Sequence, residues 1–78
     1  RLLALTPREF DLLRLLLEHP GQVFSKETIL NRVWGYDFVG DPNLVEVHIS
    51  ALRGKLQDQP PLLIRTLRGV GYRFTRTT

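Results

Sequence analysis

The stretch that most constrains how this chain can fold is Asn43 to Leu56, N-L-V-E-V-H-I-S-A-L-R-G-K-L. Val45, Ile49, Leu52 and Leu56 stand at i, i+4, i+7 and i+11. At about 100° per residue they fall on a single helical seam roughly 60° wide, a face made for packing. Asn43, Val47, Ser50, Ala51 and Gly54 fall on the other side, all with short side chains. Arg53 flanks this short-chain face on one edge, with His48 and Lys55 on the other. A helix that merely faces water normally carries lysine and glutamate there. This one has instead a lean outer side that lets a flat or grooved surface approach the helix backbone.

Charge says what kind of surface. Residues 1 to 42 hold five Lys/Arg against six Asp/Glu, and residues 43 to 78 hold six against two, so the net +3 divides as −1 and +4. The positive half is the half with the lean helix, which suits a polyanion, and a DNA major groove is the first receptor to consider. The plainer alternative is a solvated basic face over an ordinary amphipathic helix, because a singly exposed valine or alanine needs no explanation.

The other bounds are ordinary. Seventy-eight residues with 42% hydrophobic and 24% charged side chains describe one small globular domain, burying about 60 to 65% of its unfolded surface. No apolar run approaches the ~20 residues of a membrane span, and no signal-peptide pattern opens the chain, so a cytoplasmic protein with no membrane partner is expected. The absence of cysteine excludes disulfides and thiolate metal sites and is compatible with a reducing compartment.

In chain order, Leu2 to Leu5 reads as the end of a strand, as though the chain began within a longer protein. Thr6-Pro7-Arg8-Glu9 opens a first helix with a capping threonine, a proline at the first position and a capping-box glutamate. That helix is predicted to run to about Glu18, with Phe10, Leu12, Leu13, Leu16 and Leu17 on one broad face and Leu15 as the misfit. His19-Pro20-Gly21 stops it. Gln22 to Phe24 is a very short strand, and Ser25 caps a second helix, Lys26 to Trp34, with Ile29, Leu30 and Val33 on one side and Gly35 at its end. Tyr36 to Gly40 is a loop, and Asp41-Pro42 repeats the cap-plus-proline start before the third helix. Gln57 to Pro61 is a polar, proline-rich loop. Leu62 to Leu67 and Tyr72 to Thr75 are strands joined by Arg68-Gly69-Val70-Gly71, a hairpin whose arms and flexible tip carry Arg65, Arg68, Arg73 and Arg76. The Gly69-Val70-Gly71 pair is no dinucleotide loop, since no helix follows it.

Helix, turn, helix and a basic hairpin describe an α+β winged helix-turn-helix with the third helix as reader. Five segments carry a resemblance: L-T-P-R-E-F at 5 to 10, V-W-G at 33 to 35, V-E-V-H-I at 45 to 49, L-R-G-K-L at 52 to 56 and R-T-L-R-G-V-G-Y-R-F at 65 to 74. Together these resemble the DNA-binding effector domain of OmpR/PhoB-type two-component response regulators, over nearly the whole chain. The resemblance implies bacterial transcription regulation in a phosphorelay. In that family a phosphorylated receiver domain precedes the effector and drives homodimerisation on direct-repeat half-sites of double-stranded DNA. It also implies three helices and a C-terminal β-hairpin wing, with the N-terminal sheet largely missing and the Gln22 to Phe24 strand joined to the wing.

Carried over residue by residue, the resemblance puts Trp34, Asn43, His48, Ser50, Arg53, Thr66, Gly69 and Tyr72 against DNA phosphates. Val47 and Ala51 fall at base-facing positions, and Arg68 on the wing reaches the adjacent minor groove. Tyr36, Asp37, Phe38, Val39, Gly40 and Asp41 match the loop through which family members touch RNA polymerase. Where several members carry a base-reading arginine this chain has Ala51, Leu44 stands in place of a short polar residue or arginine, and Asn43 in place of a common arginine. Direct hydrogen-bond readout is therefore thin, and apolar contact of Val47 and Ala51 with thymine methyls is expected instead.

Two other functions would use parts of the same sequence. A protein-interaction winged helix would dock through Leu44, Val47 and Ala51 on the outer face of the third helix. An enzyme finds little support: Asp37 and Asp41 have no nearby histidine or phosphate cradle, and His19 and His48 lack ligand spacing. No catalytic residue, cofactor or metal is expected.

Overall fold

Three local signals start the three helices. Thr6 accepts a hydrogen bond from the Glu9 N–H at 3.2 Å while its own N–H donates to the Glu9 carboxylate at 3.0 Å, the complete capping box, and α1 runs Pro7–Glu18 behind it. Ser25 accepts from the Thr28 N–H at 3.1 Å and opens α2, Lys26–Ile29. Before α3, Asn43–Leu56, the Asp41 carboxylate takes the Asn43 N–H at 3.0 Å. The side-chain cap is thus Asp41, with Pro42 between it and the helix, as the cap-plus-proline reading expected. The computed structural model describes residues 4–36, 38–58 and 62–75. The expectations for Leu2, Leu3, Asp37, Gln59, Pro60, Pro61 and Arg76 lie outside the described residues.

After Ile29 the second helix widens into a π-helical turn, Leu30–Trp34, closed by the Gly35 N–H on the Leu30 carbonyl at 3.0 Å. The predicted single helix to Trp34 is therefore corrected: one wide turn replaces its second half, and Gly35 leaves it at φ 118°, a conformation that favours glycine.

The sheet has three antiparallel strands in the order β1-β3-β2, with β1 at Val23–Phe24, β2 at Ile64–Leu67 and β3 at Gly71–Phe74. The short strand after α1 does join the hairpin, through Val23 opposite Arg73 and Phe24 opposite Tyr72. Gly71 belongs to β3, not to the tip as its spacing suggested, and is buried against β1. A Cβ on it would collide with the backbone of Phe24 and Ser25, so only glycine lets the two strands meet there. The turn it leaves is tight, with the Val70 N–H on the Leu67 carbonyl at 2.8 Å. Leu62 and Leu63 precede β2 instead of forming it, and Ala4 and Leu5 lead into the α1 cap without pairing as a strand. The architecture is the winged helix-turn-helix of three helices plus a β-hairpin wing.

The core joins both layers. Leu12 and Leu16 of α1, Ile29 and Val33, the seam Val45, Ile49 and Leu52 of α3, and Phe24, Ile64 and Tyr72 of the sheet form one buried cluster, with Leu56 packed at its edge. The apolar face of α1 is narrower than its leucine-rich sequence suggested. Leu15 is not a misfit but packs against the cluster, whereas Phe10 and Leu17 are exposed. At about 100° per residue those two lie more than about 100° from the Leu12–Leu16 direction, outside the arc that a neighbour on one side can cover.

Candidate nucleic-acid interface

The site is built outward from the α3 seam. Because Val45, Ile49 and Leu52 are locked into the core, the residues between them must face away: Asn43, Val47, Ser50 and Gly54 are exposed and Ala51 is half-buried. Leu44 and His48 sit half-buried on the flank. The His48 Nδ1 lies 2.9 Å from the Leu44 carbonyl, and since a carbonyl only accepts, that nitrogen carries the proton. Trp34 meets the His48 ring edge-on with centroids 5.0 Å apart, and the Arg8 guanidinium, which donates to the Val33 carbonyl at 2.8 Å, stands 5.8 Å from the Trp34 ring. Half-buried Trp34 thus braces the start of α3 against α1.

The wing stands beside this face. Arg68, Gly69 and Val70 at its tip are exposed. A depression of about 270 Å³ is lined jointly by Lys26 of α2, Glu46 of α3, and Thr66, Arg68, Gly69 and Tyr72 of the wing, so the helix and the hairpin present a common surface. Glu46 is the one acidic side chain in that lining, and Lys26 holds it at 3.0 Å. The ion pair removes a charge that would otherwise repel an anion approaching the depression. Burial, and then the nearby Glu46 carboxylate, pushes the Tyr72 phenol above its ordinary range, so it remains a neutral O–H. Tyr72 is only 6% exposed and belongs to the core, and it also lines the depression at its boundary with the wing.

Several expected cations make hydrogen bonds within the domain. Arg53 donates through Nε and Nη2 to the Ile64 carbonyl at 3.1 and 2.7 Å, and through Nη2 to the Thr66 hydroxyl at 2.6 Å. Lys55, expected to reach outward, folds back on α1, where it donates to the Ala4 carbonyl and the Glu9 carboxylate. The Lys55 hydrogen bond, helped by the Thr6 N–H, holds the buried Glu9 carboxyl below its ordinary range. Arg73 lies half-buried in the middle strand, opposite Arg65, so of the arginines assigned to the wing only Arg65 and Arg68 are exposed among the described residues.

In the loop before α3, Tyr36, Val39, Gly40 and Asp41 are exposed, while Phe38 packs on Trp34 with centroids 6.2 Å apart. Three residues have structural roles that no local sequence pattern signals. Asp58, placed in a polar loop, is buried at 4% exposure and accepts the N–H groups of Leu62, Leu63 and Ile64 at 2.8, 2.9 and 2.9 Å. Lys26 and Glu46 pair across 20 residues of sequence, a separation at which no periodic signal exists. Among the described residues no group of three His, Cys, Asp or Glu side chains is placed to hold a metal, and no helix is long and apolar enough to cross a membrane.

Comparison with known proteins agrees with this geometry. Residues 1–74 match the family model described as transcriptional regulatory protein, C terminal. The uncharacterized transcriptional regulatory protein YkoG of Bacillus subtilis is 57% identical over 70 residues, covering 87% of this chain and 30% of its own length. The chain spans about a third of the length of the curated relatives it matches. Among solved structures, the DNA-binding domain of Bacillus subtilis CssR superposes with a TM-score of 0.86 at 40% identity, covering 96% of this chain and 82% of that one. The Klebsiella pneumoniae RstA DNA-binding domain in complex with the RstA box gives 0.83 at 37% identity, covering 94% of this chain and 74% of that one. The lean outer face of α3, the wing beside it and the nearly full-length match lead to one conclusion: this chain belongs to the family of C-terminal domains of transcriptional regulatory proteins of the OmpR/PhoB type.

Proposed function

We propose that this chain is the sequence-specific, double-stranded-DNA-binding output domain of a bacterial response regulator, acting by binding and not by catalysis. The carrying observation is the joint surface: α3 turns its short side chains outward and Arg68 lines the same depression as α3 and the wing. Helix α3 lies in the major groove, where Val47 and Ala51 meet base edges, chiefly thymine methyls. Asn43, Ser50, the Thr66 hydroxyl and the Gly69 backbone meet phosphates, with Trp34, His48 and Tyr72 behind them, and these contacts supply register and most of the salt-dependent affinity. Arg68 enters the adjacent minor groove, where narrow A·T tracts attract arginine. The RstA domain solved on its own DNA box supports this reading.

The longer relatives support a place at the end of a protein whose receiver domain is phosphorylated, working in the bacterial cytoplasm where the DNA is. Two copies would occupy direct-repeat half-sites as a homodimer assembled on DNA. The exposed residues 36, 39, 40 and 41 leave that loop open to RNA polymerase. Selection of bound sequences from a random duplex pool tests the whole reading, since a tandem repeat about one helical turn apart is expected. No enrichment, together with no mobility shift at either of two salt concentrations, would favour a protein-docking winged helix that uses Leu44, Val47 and Ala51.

A further inference from the structure

We propose that Asp58 and Arg53 form a two-sided clamp on Ile64 that sets the angle of the wing against α3, making Asp58 a positioning residue for DNA binding. The proposal rests on the wing-in-groove reading given above.

The geometry begins where α3 ends. Gln57 adopts a left-handed conformation, φ 57° and ψ 39°, and the N–H groups of Gln57 and Asp58 turn back to the Gly54 and Arg53 carbonyls at 3.2 and 2.8 Å. This is the hydrogen-bonding pattern of a helix stop that normally uses glycine, and a side chain accepts it at a cost. The turn swings the Asp58 carboxylate inward, where Oδ1 takes the Leu62 and Leu63 N–H groups and Oδ2 takes that of Ile64. From the last turns of α3, Arg53 takes the Ile64 carbonyl with two nitrogens and the Thr66 hydroxyl with one of them. Both backbone polar groups of Ile64 are therefore held by side chains from the end of α3.

The position of Ile64 gives this a consequence. It is the first residue of β2, one of the two edge strands of the sheet, and an edge strand leaves one side of its backbone groups without a ladder partner. Here that open side is bound to α3, so the helix and the root of the wing turn as one body. Arg68 lies four residues beyond Ile64, about 13 Å along an extended chain, so a tilt of about 10° at the root displaces the tip by about 2 Å, enough to break a hydrogen bond there. Burial alone would push the Asp58 carboxyl up, but the three amide donors and the nearby Arg53 guanidinium outweigh it and hold the group below its ordinary range. It therefore presents two accepting oxygens at neutral pH, where an asparagine would present one.

Two variants test this by routes that a loss of fold does not imitate. Asp58→Asn keeps the side-chain shape but cannot serve all three amides. Arg53→Lys keeps a cation available to phosphate but has no fork to bridge Ile64 and Thr66. In the free protein, residual dipolar couplings of backbone N–H vectors are expected to show β2 and β3 turned by about 10° or more against α3 in Asp58→Asn, while α1 and α3 keep their mutual orientation. On DNA, the ratio of Kd values for G·C-flanked and A·T-flanked duplexes is expected to fall about fivefold in both variants. In Arg53→Lys the salt dependence should also stay near the wild-type slope, as it would not in an arginine-to-neutral change at a phosphate contact. An unchanged wing orientation in Asp58→Asn, or an unchanged flank ratio in both variants, overturns the clamp. A wild-type chain that shows no flank preference overturns the minor-groove reading instead, and the dipolar couplings then judge the clamp alone.

Discussion

Val45 and Val47 are the same residue two positions apart in one helix, yet Val45 is 0% exposed and Val47 keeps 62% of its surface in solvent. Helix propensity cannot separate them. Val45 points with Ile49 and Leu52 into the cluster shared with α1 and the sheet, whereas Val47 shares its side with Ser50 and Gly54. Full burial of a valine is worth about 1.5 kcal/mol or more, which the outer position forgoes in the free domain. The contrast teaches that α3 serves two surfaces: an inner one that fixes its orientation and an outer one kept bare for a partner.

The largest effect expected on breaking this contrast is on the inner side. Leu52→Ala should lower unfolding stability by about 2–5 kcal/mol in a denaturant titration, since it opens a cavity among fully enclosed neighbours. Val47→Ala should stay within about 0.5 kcal/mol of wild type in the same experiment. Similar losses at both positions would mean that the two sides are not distinct.

Acid acts on the inner side as well. Glu9 and Asp58 both have folded-state carboxyls lowered from ordinary values of 4.5 and 3.8. A lowered carboxyl contributes stability that is fully present above its ordinary value and is lost progressively as pH falls from there through its lowered folded-state value. Thermal midpoints should therefore hold near neutrality and decline as pH drops below about 4.5, and Glu9→Gln should make the decline shallower. A midpoint that rises on acidification would contradict the burial of these two groups as paired carboxylates.

On the outer side, Arg68→Ala should weaken DNA binding by about 1–3 kcal/mol and relax preference at flanking A·T pairs, with its unfolding curve unchanged. Equal affinity of both proteins for flank-scrambled duplexes would remove the minor-groove role. The smallest effect belongs to the Lys26–Glu46 pair, half-exposed and worth about 0–1 kcal/mol to the fold. Its use is better seen on DNA: Lys26→Ala should weaken binding by freeing a carboxylate in the depression, and adding Glu46→Gln should restore part of the loss. A double variant that binds no better than Lys26→Ala would assign Lys26 a direct contact instead.

How much of this was legible in the sequence depends on how far apart the interacting groups lie. The Thr6–Glu9 capping box, the Ser25 cap and the α3 seam involve residues within a turn or two, and local spacing described them correctly. The core side of α1 is not legible locally because five leucines and a phenylalanine permit several rotations, and which one is used depends on where α3 and the sheet stand. Arg53 and Lys55 looked outward because a helical wheel places a side chain's root and not its end. Their partners, Ile64 and Thr66 for one and Ala4 and Glu9 for the other, come from distant parts of the chain. Asp58 was hidden most completely, since its partners are backbone amides that carry no residue signature. The outer face of α3 was legible because bareness is itself a pattern, set by the same periodicity that buries the seam.

Whether the bare side of α3 and the wing tip meet DNA together is read by amide chemical-shift mapping of the isotope-labelled chain titrated with a duplex recovered by selection. The perturbed amides are expected to gather on Asn43, Val47, Ser50, Ala51 and the Arg68–Gly69 tip, while those of the exposed Phe10 and Leu17 on α1 stay still. Perturbations centred on α1, or on residues 36 to 41 with α3 unmoved, would contradict this joint contact.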